Sequence, residues 1–144
     1  MSTYDTSAGA DLVQKLTEAD CWELLRQEQL GRLVVTVGDR IDIFPINYLI
    51  DAHRVLFRTA EGTKLVELTI DDRVVFEVDH VDDESGWSVV IHGTARTLRT
   101  SAEIAVADAL ELRSWVPTTK YNTVEIQPGE VNGRYVRFGE EPER

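Results

Sequence analysis

The stretch Arg32-Leu33-Val34-Val35-Thr36-Val37-Gly38-Asp39-Arg40-Ile41-Asp42-Ile43-Phe44-Pro45-Ile46-Asn47-Tyr48-Leu49-Ile50 decides the fold. Its first six residues are rich in β-branched side chains and read as a strand. Gly38-Asp39, or a neighbouring pair, makes the turn, and Ile41 to Ile50 is the return strand. Pro45 interrupts that second run. A proline has no N–H for a ladder, so the strand is an edge, is bulged, or is turned towards a ligand at its middle. Asp51-Ala52-His53 then turns into a third strand, Arg54 to Thr59, which completes a meander.

Working outward, residues 1–15 read as a flexible polar arm, and residues 16–140 as one domain. Thr17-Glu18-Ala19-Asp20 offers a hydroxyl cap with acids in the first turn. The apolar spacing of Cys21, Leu24 and Leu25 continues the helix, with its end placed at Gly31. Downstream of the meander, Leu65 and Leu68 suggest one to two helical turns starting near Gly62 or Thr63. Long strands follow at Arg73 to Val81 and Trp87 to Leu98, separated by the acidic loop Asp82 to Gly86. Ser101 is read as the cap of a second main helix reaching about Leu112, burying Ile104, Ala105, Ala107, Ala109 and Leu112. Pro128-Gly129-Glu130 reads as the turn of a final hairpin between Thr123–Gln127 and Val131–Phe138. Short turns between six or seven strands imply mostly antiparallel pairing, and the few helices favour a closed or nearly closed barrel. A sheet face without helices over it needs other cover, and a homodimer supplies it.

Composition bounds the function. The chain has 144 residues, 42% of them hydrophobic, enough for a packed core. Its 26 Asp and Glu against 15 Lys and Arg leave a net charge of −11. Such a surface repels phosphate backbones, so nucleic acid is not an expected partner. One cysteine and three scattered histidines provide neither a disulfide nor a zinc site. Met1 to Ala10 lacks the basic start and apolar centre of a signal peptide, and no apolar run reaches membrane-spanning length. The cytoplasm is the expected compartment, without membrane attachment.

Three local features carry possible chemistry. In Thr59-Ala60-Glu61-Gly62-Thr63-Lys64, two hydroxyls and an ammonium lie where a strand meets a helix start. Free backbone N–H groups there favour a dianionic phosphate, and Arg58 offers a second cation. The plainer alternative makes Thr63 a cap and Lys64 a solvated charge. The second feature is the Pro45 strand, whose backbone is left free to meet a planar ligand edge and whose Asn47 both donates and accepts. An edge strand with a half-exposed Asn is its plain counterpart. Third, Trp87 and Ser88 open a strand that continues to His92. Trp87 either walls a cofactor or belongs to the core. Trp115, on a loop after the second main helix, either closes a pocket or covers the core. No nucleophile elbow, P-loop or dinucleotide glycine motif is present.

The ordered set of Gly31-Arg32-Leu33, Phe44 to Tyr48, Phe57 to Leu65, Val75 to Asp79 and Gly86 to Ala95 resembles the pyridoxamine 5′-phosphate oxidase-like, FMN-binding split-barrel family over about residues 16–138. The resemblance implies a six-stranded antiparallel split β-barrel with short helices. It implies a homodimer with a flavin in each of two clefts at the subunit interface. Lys64 then matches the phosphate-binding lysine, Thr63 a place where relatives often have a second basic residue, and Thr59 a strand-end threonine near the phosphate. Pro45, Ile46 and Asn47 match the strand whose backbone lines the isoalloxazine ring. Ser88 matches a polar residue facing the flavin, with Trp87 beside it, and by the same resemblance either Trp115 or Arg134 could reach the partner's cofactor.

One departure narrows the activity. Enzymes that oxidise the vitamin carry an Arg-x-His element near the C-terminus, and here Arg134 is followed by Tyr135 and Val136. A flavoprotein oxidoreductase acting on another small molecule or electron donor is therefore expected, with FMN as cofactor. A deazaflavin-using reductase of the same fold is the alternative, and a non-catalytic flavin-storing or flavin-sensing dimer is another. His92 and Tyr48 are the candidates for a proton donor.

Overall fold

A computed structural model describes residues 12–60, 67–68, 70–110, 112 and 122–139. The elements are β1 (Val13–Lys15), α1 (Glu18–Leu25), β2 (Leu30–Val37), β3 (Arg40–Asn47), β4 (Leu49–Asp51), β5 (Arg54–Thr59), β6 (Arg73–Val81), β7 (Ser85–Thr97), α2 (Ser101–Asp108) and β8 (Asn122–Arg137). All the strands form one sheet in the order β3-β2-β6-β7-β8-β5-β4, with β1 paired to β8. Every pairing is antiparallel.

The two ends of that path, β3 and β4, are consecutive in the chain and meet at Tyr48, so the sheet curls into a barrel-like half shell. It has eight strands where the chain's pattern suggested six or seven and the family resemblance six. One extra strand arises because the single return strand expected over Ile41–Ile50 is broken. Tyr48 turns away from the ladder: its N–H donates to Gln29 O at 3.1 Å and its hydroxyl to Leu25 O at 2.6 Å. The other is β1, formed by the last residues of the expected arm, which lies along the C-terminal half of β8.

Further expectations are corrected. Helix α1 starts at the expected Thr17 cap, whose Oγ1 accepts from Asp20 N–H, but it ends at Leu25. Gly31 lies inside β2, where a Cβ would stand 2.5 Å from the Phe76 ring. Its missing side chain serves a close cross-strand approach rather than a helix stop. The final hairpin is instead one continuous strand, β8, with a bulge between the His92–Glu130 and Gly93–Pro128 pairs that takes up Gly129 as its extra residue. Helix α2 is capped by Thr100, one residue earlier than expected, through a capping box with Glu103. Of its expected buried positions, Ala107 is buried and so is Leu112 beyond it, whereas Ile104 is 39% exposed.

The core fills the concave side of the sheet. Leu33, Val35, Phe57, Phe76, Val78, Val89, Ile91 and Ile126 point inward and α1 adds Cys21, Trp22 and Leu25. Trp22 also stacks on His53, with ring centroids 5.0 Å apart and planes within 3°. Burying side chains of this size contributes about 1.5–3 kcal/mol each before conformational entropy is counted.

Candidate functional site

The convex side of the sheet follows from the register. Directly opposed residues in antiparallel strands share a face, as do alternate residues along a strand. One row across the sheet therefore runs Pro45, Arg32, Glu77, Val90, Asn132, and the next runs Ile43, Val34, Val75, His92, Glu130. A third carries Asp79, Ser88, Arg134 and Lys15, with Asn47 and Leu30 on the same face. This face is strongly apolar at its β3 edge, where Ile41 and Ile43 are 71% and 61% exposed. A shallow depression of about 570 Å³ between Val34, Thr36, Val75, His92 and Thr94 lies near its centre. Among the described residues no helix packs over β3, β2 and β6 on this side.

The expected site residues divide between the two sides. Pro45, Asn47 and Ser88 stand on the convex face. Pro45 is tolerated because β3 is an edge strand, paired with β2 alone among the described strands, as one of the sequence readings required. Asn47 Nδ2 lies 3.4 Å from Gln29 O, which holds its amide near the strand end. Ile46, Trp87 and Thr59 point to the concave side, each less than a tenth exposed. Trp87 is thus packed in the core against the His80 ring at 6.5 Å, while Ile46 reaches the convex side only through its backbone.

Arg58 points to α2, where its guanidinium donates to Leu112 O at 3.0 Å and to Asp108 Oδ1 at 3.1 Å. Thr59 Oγ1 donates to Ala60 O at 3.1 Å, so both residues mark the strand end that leads into the expected phosphate loop. Thr63, Lys64 and Trp115 lie outside the described residues. The loop's far side is described from Glu67 on: Glu67 and Leu68 are buried, and Glu67 O accepts from Asp71 N–H at 3.0 Å. A hydrogen bond that the Glu67 carboxyl donates to Asp42 holds Glu67 above its ordinary range.

Of the two proton-donor candidates, Tyr48 is committed to the architecture. It is 5% exposed, bonds Leu25 O and meets Phe76 edge-on at 5.1 Å. Burial, with a smaller contribution from the nearby Glu28 charge, raises its hydroxyl well above the usual range, so it holds its proton. His92 is exposed on the convex face and remains accessible.

A charged cluster on that face, Arg32 with Glu77 and Asp79, was not among the expected site residues. Arg32 Nη1 lies 2.7 Å from Glu77 Oε1 and 3.1 Å from Asp79 Oδ2. Burial is the main reason that Glu77 is pushed up to about 7, with a hydrogen bond to Asp79 adding to it and Arg32 opposing it. Glu77 and Asp79 alternate with Phe76 and Val78, a period-two pattern that marks them as facing away from the core. That pattern was the available signal.

A family model described as pyridoxamine 5′-phosphate oxidase matches residues 17–135. Among solved structures, a candidate pyridoxamine 5′-phosphate oxidase of Corynebacterium glutamicum is 46% identical, with a TM-score of 0.85 over 91% of this chain and 98% of its own. An FAD binding protein of Mycobacterium smegmatis is 45% identical, with a TM-score of 0.78 over 88% of this chain and all of its own. An uncharacterised Mycobacterium tuberculosis protein, Rv3129, is 40% identical over 96 residues, which are 67% of this chain and 87% of that protein.

Proposed function

The chain belongs to the pyridoxamine 5′-phosphate oxidase family, and on that premise we propose that it is an FMN-binding flavoprotein oxidoreductase that works as a homodimer. The observation that carries this reading is the convex face, over whose β3, β2 and β6 part no described helix packs, with Pro45 and Asn47 at its β3 edge and Ser88 three strands across on β7. A flavin needs apolar walls, hydrogen bonds at its pyrimidine edge and an anchor for its phosphate. Pro45 and Ile43 offer the wall, Asn47 and Ser88 the polar edge, and Lys64 with Thr63 the anchor carried over from the family. A second copy laid on the Ile41 and Ile43 edge would cover apolar surface that is otherwise exposed.

In this reading the flavin supplies the hydride or electron transfer, and the chain binds and orients it. Asn47 and Ser88 fix the ring, and the Arg32–Glu77–Asp79 cluster sets the charge beside it. His92 is the accessible residue for moving a proton. Val136, where vitamin-oxidising enzymes carry histidine, argues for a different small-molecule substrate or electron donor. FAD in place of FMN is the second reading, favoured by the FAD-binding neighbour at 45% identity. Turnover tests the enzymatic part. Flavin-loaded protein is expected to oxidise a reduced nicotinamide in the presence of an electron acceptor, and loaded protein without turnover would instead identify a flavin-storing or flavin-sensing module.

A further inference from the structure

Lys15 and Arg134 are directly opposed across β1 and β8. Their Cβ atoms are therefore about 5 Å apart on the convex face, an arrangement of like charges that destabilises a sheet. Elsewhere the fold avoids this: Arg32, Arg40, Arg54, Arg58, Arg73 and Arg96 each lie within ion-pair distance of a carboxylate. Among the described residues, the side chains of Lys15 and Arg134 have no such partner, although the chain carries far more acids than bases. Asp79, the acid of the same row, lies two strands from Arg134, about 10 Å away, and is bound to Arg32. The two cations border a depression of about 440 Å³ that Asn132, Gly133 and Val13 complete.

We propose that Lys15 and Arg134 form an anion-binding subsite for a phosphoryl group. An anion between them converts a repulsive pair into two charge-assisted contacts, and the planar guanidinium suits phosphoryl oxygens. Asn132 adds an amide donor at the rim. Ser88 is the cross-strand neighbour of Arg134, so the subsite begins about 5 Å from the residue assigned to the flavin's polar edge. The identity of the ligand rests on the flavin reading. The phosphoryl group is either the one that FAD has and FMN lacks, or that of a separate phosphorylated ligand bound beside the flavin.

The test measures binding of inorganic pyrophosphate, FMN and FAD by calorimetry and by thermal shift, for the wild type and the double variant Lys15→Ala/Arg134→Ala. Pyrophosphate is expected to bind the wild type and to lose about tenfold or more in affinity in the variant. The unliganded variant should melt no lower than the wild type, since it loses a repulsion. The pair Lys15→Gln/Arg134→Gln keeps the side-chain stems should the alanine variant fail to fold. FAD weakened with FMN unchanged assigns the subsite to the dinucleotide, whereas both flavins unchanged with pyrophosphate lost assigns it to a separate ligand. A wild type that binds pyrophosphate through these residues but takes up neither flavin upholds the subsite and defeats the flavin reading. Pyrophosphate binding that is absent from the wild type, or intact in the variants, overturns the subsite and leaves the flavin reading standing.

Discussion

Gly133 in β8 faces Cys21 in α1 so closely that a Cβ at position 133 would stand 2.5 Å from the Cys21 sulfur. The contact sets how near α1 can approach the sheet, and through α1 it sets the Trp22 and Leu25 part of the core. Burial, reinforced by Asp20 and Glu18, pushes the Cys21 thiol up to about 11, so the sulfur packs as a neutral group. Gly133→Ala is expected to destabilise by about 1–3 kcal/mol through overpacking. Adding Cys21→Ala should recover part of that loss, measured as coupling in a double-mutant cycle of denaturant unfolding. Purely additive effects would show that the two residues do not press on each other.

The Tyr48 hydroxyl donates to Leu25 O, tying the β3–β4 corner to the end of α1. Tyr48→Phe should cost about 1–2 kcal/mol of stability by leaving a buried carbonyl without its partner. It should leave flavin affinity and turnover unchanged once the protein is folded. A loss of turnover without a loss of stability would return Tyr48 to the list of proton donors.

Ala52 occupies the turn between β4 and β5 with φ +53°, a conformation that costs a residue with a Cβ. Ala52→Gly should therefore stabilise the protein by about 0.5–1 kcal/mol, seen as a rise in Tm. The Arg26 contact to the Ala52 carbonyl at 3.0 Å is made to backbone and survives the change.

The pH dependence of stability has a contribution whose sign is set by Glu77. Its folded value of about 7 lies above the ordinary 4.5, so the folded state keeps this proton while the unfolded state loses it. The stabilisation is fully present below about pH 4.5 and is lost as pH rises through 7. Glu77→Gln, which stays neutral, should gain stability relative to the wild type across that window, by about 1 kcal/mol at a half-buried site that keeps some solvent screening. Urea unfolding at pH 5 and pH 8 measures it, and an equal difference at both values would remove Glu77 as the source.

Much of the barrel could be read from local pattern. The Thr17 cap and the Gly38-Asp39 turn follow from single residues, and Pro45 limited its strand to an edge, a bulge or a ligand-facing run, of which β3 is the edge. Misreadings arose where one signature serves two structures. Pro128-Gly129 marks a hairpin turn and a bulge equally well, and the long pairing of β7 with β8 decides for the bulge. Gly31 looks like a helix stop until Phe76, far along the chain, is seen against it. Ile104 lies three residues before the buried Ala107, the spacing of a buried helix face, yet it stays 39% exposed on α2. The candidate site was legible as residues but not as faces: Pro45, Asn47 and Ser88 share one side, while Trp87 and Thr59 turn inward. The Lys15–Arg134 pair was invisible because only strand pairing joins the chain's two ends.

That the chain holds a flavin with the help of Lys64 is tested most directly by titrating wild type and Lys64→Ala with FMN while following visible absorbance, with a deazaflavin run alongside. The wild type is expected to form a yellow complex with a Kd in the micromolar range or tighter, the variant to bind about tenfold or more weakly, and the deazaflavin to be taken up less well. A wild type that stays colourless at micromolar FMN, or a variant that binds as tightly as the wild type, would contradict it.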